Sequence, residues 1–468
     1  MRFSLFVSAV ALAAAGAAPY LWSGGPTYRH AGPSERANPP VAVGAKRASA
    51  QAAPDPVRLT VQGDNVKPFV AIRPAGGIYV AWARQAGEKA TVLFARCTDG
   101  AHLEAETPVS LVGMHLDLGA ESGPNVAVDA KGTIFVAFAA GSTAAPKMEH
   151  PAAASAAGAP RAHSGHPPRP GNLNIWLARS IDDGATFSLP VRVNDDVDGA
   201  EHRFPTVVPD GKGGVDVAWL DKRKKGPDGQ EMARVFFARS VDGGRTFGAN
   251  VDATVGQPYP ICHCCRVGAA CDANGGLSVA FRNDINDLRD MFLVRSADGG
   301  RTFSAPSALE RTAWKLPTCP MDGPSIGFDA SGTVHAAWMT GGNPPGLPAT
   351  GQVRPADNKV LYTCVVPGGS TAAPTLLGVG HHPRVAVAHS GETYVVWHDR
   401  FVRLARVGAG DRPAAQILDL AASEGAASYP SLALASDGGV YCAWQQLQPD
   451  NSVQLFLSRV PERAFAPK

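Results

Sequence analysis

One pattern recurs seven times along this chain and leaves few folds open to it. The unit reads Pro-x-Val-Ala-Val-Asp-x-x-Gly-x-Val-x-Val-Ala-Trp, with copies starting at Pro68, Pro124, Pro205, Val267, Pro324, Pro383 and Pro430. The copies close on Trp82, Phe138, Trp219, Phe281, Trp338, Trp397 and Trp444, each 14 residues after its start. Apolar residues alternate on both sides of a glycine-containing turn, so each unit predicts a β-hairpin. A third strand follows in most units, as at Ile175–Arg179, Val235–Arg239 and Met291–Arg295. A fourth leads to the next unit, as at Pro190–Val193. Four strands per repeat predict a β-propeller. The last unit stops after its third strand, Val453–Val460, and Val57–Val61 offers the missing fourth. Joining the two ends closes the ring and removes an open sheet edge. The expected fold is therefore all-β: a propeller of four-stranded antiparallel blades, seven in number, with six as the alternative.

Composition agrees. With 51 Gly and 39 Pro, the chain is poor material for long helices and good material for short strands and turns. At 45 % hydrophobic it can bury a large core. Lys and Arg number 43 against 41 Asp and Glu, a net charge of +2, which argues against nucleic acid as a partner. Arg2 and the apolar run from Phe3 to about Ala18 read as an export signal, with Ala15-Gly16-Ala17 as the cleavage site. An uncleaved anchor reaching to about residue 22 is the alternative and would be the one contact with a membrane. Residues 24–55 read as a flexible tether rich in Pro, Ala and Gly. Residues 56–462 form one propeller domain with an insertion at 141–171. The expected location is periplasmic or secreted.

A second motif lies between strands three and four. It runs from Ser180 to Phe187, from Ser240 to Phe247 and from Ser296 to Phe303, with a worn copy at Cys97-Thr98-Asp99-Gly100. This S-x-D-x-G-x-T-F octad resembles the Asp-box, or BNR repeat, of the sialidase-like propellers. The resemblance spans essentially the whole chain after residue 56. It implies a structural role for Asp182, Asp242 and Asp298, as caps of a turn whose glycine takes a positive φ and whose Phe packs between sheets. It speaks for the fold far more than for an activity.

Strand directions place the residues before each Pro and after each closing aromatic on one face, at the mouth of the central channel. Mouths of closed folds are where ligands bind. That face collects Glu121, His202, Arg203, Cys262, His263, Cys264, Cys265, Cys319, Met321, Asp322, His381, His382 and Tyr429. The positions after the aromatics add Arg84, Asp221, Arg282, Asn283, Asp284, Met339, His398 and Asp399. The insertion brings Met148, His150, His163 and His166 to the same face as lid ligands. Thiolate, thioether and imidazole together select soft metals, so Cys262, His263, Cys264, Cys265, Cys319, Met321, His381 and His382 form a candidate copper or zinc site. The Met and His content of the insertion favours copper. There is no C-x-x-C-H, hence no c-type haem attachment. Eight cysteines in an exported chain also suit disulfides. Cys262 with Cys319, and Cys264 or Cys265 with Cys271, are the pairings considered.

Two other readings stand beside the metal site. The resemblance to sialidases implies an arginine clamp on a carboxylate, a Tyr nucleophile and an Asp acid/base. Arg203, Arg266, Arg282 and Arg384, with Tyr429 and Asp322 or Asp221, are the residues offered for these roles. The chain departs from the family pattern at several points. No Phe-Arg-Ile-Pro opens the first blade, and the nearest match, His202-Arg203-Phe204-Pro205, falls in the third. No Glu pairs with Tyr429, and sialidases have six blades. Another glycan-active or glycan-binding role goes with this reading, and the other reading is a protein-interaction platform with its mouth held by disulfides. A metal ion or small ligand at the mouth, without catalysis, is the preferred expectation.

Overall fold

In a computed structural model, the described residues are 45–47 and 54–465, apart from 88, 120, 142–172, 198, 228, 258, 344–356, 369–370, 409–414 and 423–426. They form a seven-bladed β-propeller. The expected signal, almost all of the tether and the insertion after Gly141, with Met148, His150, His163 and His166, lie outside the described residues.

Each blade is a four-stranded antiparallel meander. Blade 1 runs Asp64–Ile72, Ile78–Ala86, Lys89–Cys97 and Thr107–Pro108. Blade 4 runs Gly268–Cys271, Leu277–Arg282, Met291–Ser296 and Ser307–Ala308. Blade 6 runs His381–Val387, Thr393–His398, Phe401–Val407 and Ala415–Ala422, and its outer strand also pairs in parallel with Ala45–Arg47 of the tether. Blade 7 supplies Ala427–Leu434, Val440–Leu447 and Val453–Val460, and Val57–Arg58 completes it. The closure continues beyond that strand. The Leu59 amide donates to the Leu455 carbonyl at 2.8 Å, and the Thr60 hydroxyl accepts from the Leu455 amide at 2.9 Å.

The repeated aromatic explains why the blades stack. All seven closing residues, Trp82 to Trp444, are at most 2 % exposed. Each packs into the cluster between its own blade and the blade before it. Trp82 meets Ala443 and Leu455 of blade 7, and Phe138 meets Ala81 and Phe94 of blade 1. One apolar cluster fills each gap around the ring. A single hairpin could not bury both faces of its sheet, so each blade depends on its neighbours.

The octads are turns locked by their own side chains. Asp298 takes hydrogen bonds from the Thr302 amide (3.0 Å), the Thr302 hydroxyl (2.6 Å) and the Ser296 hydroxyl (2.8 Å). Asp182 and Asp242 repeat this set with Thr186 and Thr246. Hydrogen bonds from Thr186 and Thr302 hold the Asp182 and Asp298 carboxyls below the usual range. Gly300 has φ 81°, and a Cβ there would lie 2.0 Å from the Phe237 ring of blade 3. The turn is thus pressed against the preceding blade, which a side chain would prevent.

Candidate metal centre and channel mouth

Four blades begin their first strand with the same device. At Lys67, Phe204, His382 and Tyr429 the backbone is left-handed, with φ of 57°, 56°, 55° and 51°. Each residue precedes the proline of its repeat, and at each the ladder slips by one residue. Val66 pairs with Ala83 but Phe69 with Ala81, and the same slip follows Arg203, His381 and Ser428. Such a bulge admits proline into a strand and re-aims the residue beside it. Holding a non-glycine residue there costs about 1–3 kcal/mol and persists where the surroundings dictate it.

These four side chains, with Glu121, Arg266 and Arg384, line a narrow cavity of about 30 Å³ at the centre of the ring. The buried Glu121 carboxylate accepts from the Arg266 guanidinium and, at 2.5 Å, from the Gly323 amide. The Lys67 ammonium lies 3.0 Å from the centre of the Tyr429 ring. Burial pulls that ammonium down to about 7, against the opposing pull of Glu121 and Asp117. Burial, then Glu121 and Asp322, push the Tyr429 phenol up to about 12. The Arg384 guanidinium lies over the Phe69 ring and makes no hydrogen bond or ion pair among the described residues.

Three imidazoles sit beside the cavity. His382 Nδ1 is 2.8 Å from His398 Nε2, and the two rings stack with centres 5.1 Å apart. His382 also meets Tyr429, with ring centres 4.5 Å apart. Asp322 is fully buried. One carboxylate oxygen accepts from the His382 amide at 2.8 Å and stands 3.5 Å from His381 Nδ1. The other has no hydrogen-bond partner among the described residues. Burial, then His381, lower His398 to about 4, and burial lowers His382 well below the usual range. Burial opposes charge on His381 too, but Asp322 outweighs it and raises that group. His382 and His398 are therefore neutral at pH 7, the form that binds metals.

The sulfurs form a separate group below the same rim. Cys262, Cys264 and Cys265 are buried, and Cys319 and Met321 pack against them. Cys262 Sγ lies 3.5 Å from Cys264 Sγ and 3.4 Å from Cys265 Sγ. The Cys264 and Cys319 sulfurs are in bonding contact, with Cα atoms 6.2 Å apart. Two loops make this meeting. The Cys262 amide is pinned to the Arg282 carbonyl at 2.9 Å. A Cβ at Gly323 would lie 2.2 Å from the Arg266 carbonyl oxygen, so glycine alone lets the second loop close on the first. A hydrogen bond from Cys265 lowers the Cys262 thiol, while burial raises Cys265. The sulfurs of Cys262, Cys264 and Cys319 all lie within 4.8 Å of one another, the one such group among the described residues.

The candidate ligands thus divide in two. Cys262, Cys264, Cys265, Cys319 and Met321 meet, with His263 Nε2 3.9 Å from Cys319 Sγ. His381 and His382 join His398 instead, and His382 Nε2 lies 3.2 Å from the Met321 carbonyl beside the sulfur group. Cys319 meets Cys264, where the spacing had suggested Cys262. Cys271 meets neither Cys264 nor Cys265, and its sulfur donates to Asp216 at 3.3 Å.

The residues offered for a sialidase clamp are differently employed. Arg203 is buried in a two-pronged pair with Asp117, both contacts at 2.7 Å. Arg282 gives its donors to the carbonyls of Arg289, Asp322 and Met339. Both side chains are buried in these contacts. Lys67 escaped the sequence reading, although it precedes Pro68 just as Tyr429 precedes Pro430.

No family model matches this sequence, and no curated protein matches it either. Solved structures do. A protein of unknown function from Dyadobacter fermentans is 14 % identical at a TM-score of 0.51, over 87 % of this chain and 98 % of that one. A Streptococcus pneumoniae sialidase is 10 % identical at a TM-score of 0.48, over 92 % and 71 %. A Hadza microbial sialidase is 17 % identical at a TM-score of 0.43, over 76 % and 66 %. At such identities the likeness is one of fold: the chain is a β-propeller whose structural neighbours include sialidases and other glycan-active propellers.

Proposed function

We propose that this chain is an exported propeller of the sialidase-like, Asp-box kind whose channel mouth binds one soft metal ion, copper or zinc, without catalysis. The convergence of four cysteine sulfurs and a thioether from two separate loops carries this reading. The separations of 3.4 and 3.5 Å are near the roughly 3.8 Å edge of a tetrahedron of sulfurs set about 2.3 Å from zinc. Thiolate and thioether also suit copper(I). A sulfur bound in a disulfide offers no thiolate, so the metal-binding form is the one with Cys264 and Cys319 reduced. The neutral His382 and His398 form a second donor set next to the first. The Asp-box turns support the kinship, and the apolar N-terminal run supports export.

Elemental analysis tests this, on reduced protein purified without a His-tag, with thiols counted in the same sample. About one copper or zinc per chain is expected, with loss of most of it in Cys262→Ser/Cys265→Ser, which should melt at the temperature of the metal-free parent protein. No metal in the reduced parent protein would overturn the reading. His382→Ala separates the two donor sets: unchanged metal content would confine the site to the sulfurs.

A second reading rests on Arg384. An unpaired guanidinium lining the cavity beside Lys67 and Arg266 suits the acidic group of a glycan. Binding of sialyllactose that Arg384→Ala abolishes would favour it, with no turnover, because a phenol raised to about 12 makes Tyr429 a poor nucleophile.

A further inference from the structure

Solvent reaches the sulfur cluster from one side. Cys262, Cys264 and Cys265 are 1 %, 5 % and 2 % exposed, whereas Cys319 stands half-buried at the rim beside His263. Behind it, sulfur touches sulfur in a line. Cys319 meets Cys264 at bonding distance, Cys264 lies 3.5 Å from Cys262, and Cys262 lies 3.4 Å from Cys265. A disulfide that only staples two loops needs one pair. Here a second pair of thiols lies against the first, and it has the C-x-x-C spacing of dithiols that close on themselves.

We propose that this line of contacts is a thiol–disulfide relay, in which the buried Cys262–Cys265 dithiol is oxidised through the Cys264–Cys319 pair by a low-molecular-weight disulfide in solvent. Exchange proceeds by attack of a thiolate on a sulfur of a disulfide. The Cys319 thiolate attacks the external disulfide, whose bond breaks. One external thiol leaves, and the other half stays on Cys319. Cys264 then attacks Cys319 Sγ, forming the 264–319 bond and releasing the second external thiol. The inner step follows. Cys262 attacks Cys264 Sγ, breaking the 264–319 bond and freeing Cys319. Cys265 attacks Cys262 Sγ, forming the 262–265 bond and freeing Cys264. The protons of Cys262 and Cys265 end on Cys264 and Cys319, so this step is an isomerisation with no net redox change. Each full round moves two electrons and two protons from the protein to one external disulfide. A second round leaves both bonds formed.

The relay concerns the metal-free protein and goes beyond the metal reading without resting on it. The full chain is reduced, freed of reductant in the presence of a chelator, and mixed with oxidised glutathione. Samples are quenched by alkylation, and the bonds are located by peptide mass. In the parent protein the 264–319 bond should appear first and the 262–265 bond second. Cys319→Ser should slow oxidation of Cys262 and Cys265 about tenfold or more. Cys264→Ser should trap glutathione on Cys319 while Cys262 and Cys265 stay reduced. Formation of the 262–265 bond before the 264–319 bond in the parent protein would overturn the relay, a result that needs no variant to fold. So would equal rates of Cys262 and Cys265 oxidation in the parent and Cys319→Ser. The chelator keeps metal out, so failure here and failure of the metal measurement are separate results.

Discussion

Lys67 is an ammonium group held where water hardly reaches. Its neighbours are the Tyr429 ring, Glu121, Asp117 and Arg384. In the unfolded chain a lysine keeps its proton up to about pH 10.5, but here burial pulls the group down to about 7. Between those values the unfolded chain binds one proton more than the folded one. This site's contribution to stability therefore rises with pH across that window and is at its lowest below about pH 7. Lys67→Met should be more stable than the parent protein at about pH 6, by an amount on the order of a few kcal/mol, and should lose most of that advantage by about pH 10. Urea denaturation of both proteins at both pH values checks this. An identical difference at the two pH values would mean that Lys67 keeps an ordinary affinity for its proton.

At the scale of the element, the strand Val57–Arg58 and the residues after it connect the two ends of the ring. The Thr60 hydroxyl donates to Gln454 Oε1 at 2.8 Å and accepts from the Leu455 amide at 2.9 Å, and Thr60 is buried. Thr60→Val keeps the shape, leaves the Leu455 amide buried and unpaired, and leaves Gln454 Oε1 only its contact with Asn65 at 3.3 Å, which should cost about 1–3 kcal/mol. A denaturation midpoint equal to that of the parent protein would remove this contact from the closure. The closing aromatics act at the same scale. Trp444 is fully buried between blades 6 and 7, so Trp444→Ala should cost about 3–5 kcal/mol, read from the same denaturation curve.

For the whole molecule, ring closure makes each blade depend on two others. Removing residues 1–61 takes away the fourth strand of blade 7 and exposes an edge of its sheet. The truncated chain should unfold at lower urea and over a broader range than the parent, because the ring then has two ends at which unfolding begins. A transition of unchanged midpoint and width would show that the seven interblade clusters suffice without closure.

How much of this was legible beforehand follows from the range of the interactions. The hairpins, the blade number, the closing strand at 57–61 and the Asp-box turns rest on contacts within a hairpin or an octad, or on a period that repeats them. Side-chain alternation is a local property, so the sequence alone determined the blades and their number. The channel face was legible for the same reason, since strand direction alternates from one strand to the next. Which groups meet on that face was decided only in the folded ring. Cys264 and Cys319 lie 55 residues apart, and their contact depends on how two loops seat against each other across Gly323. His381 and His382 are set apart from the sulfurs because a bulge at His382 turns them towards His398. Arg203 and Arg282 share the clamp residues' face in sequence, yet each is spent on partners outside its own hairpin as well as within it. Their side-chain directions are set by packing between blades, and no spacing along the chain records that packing.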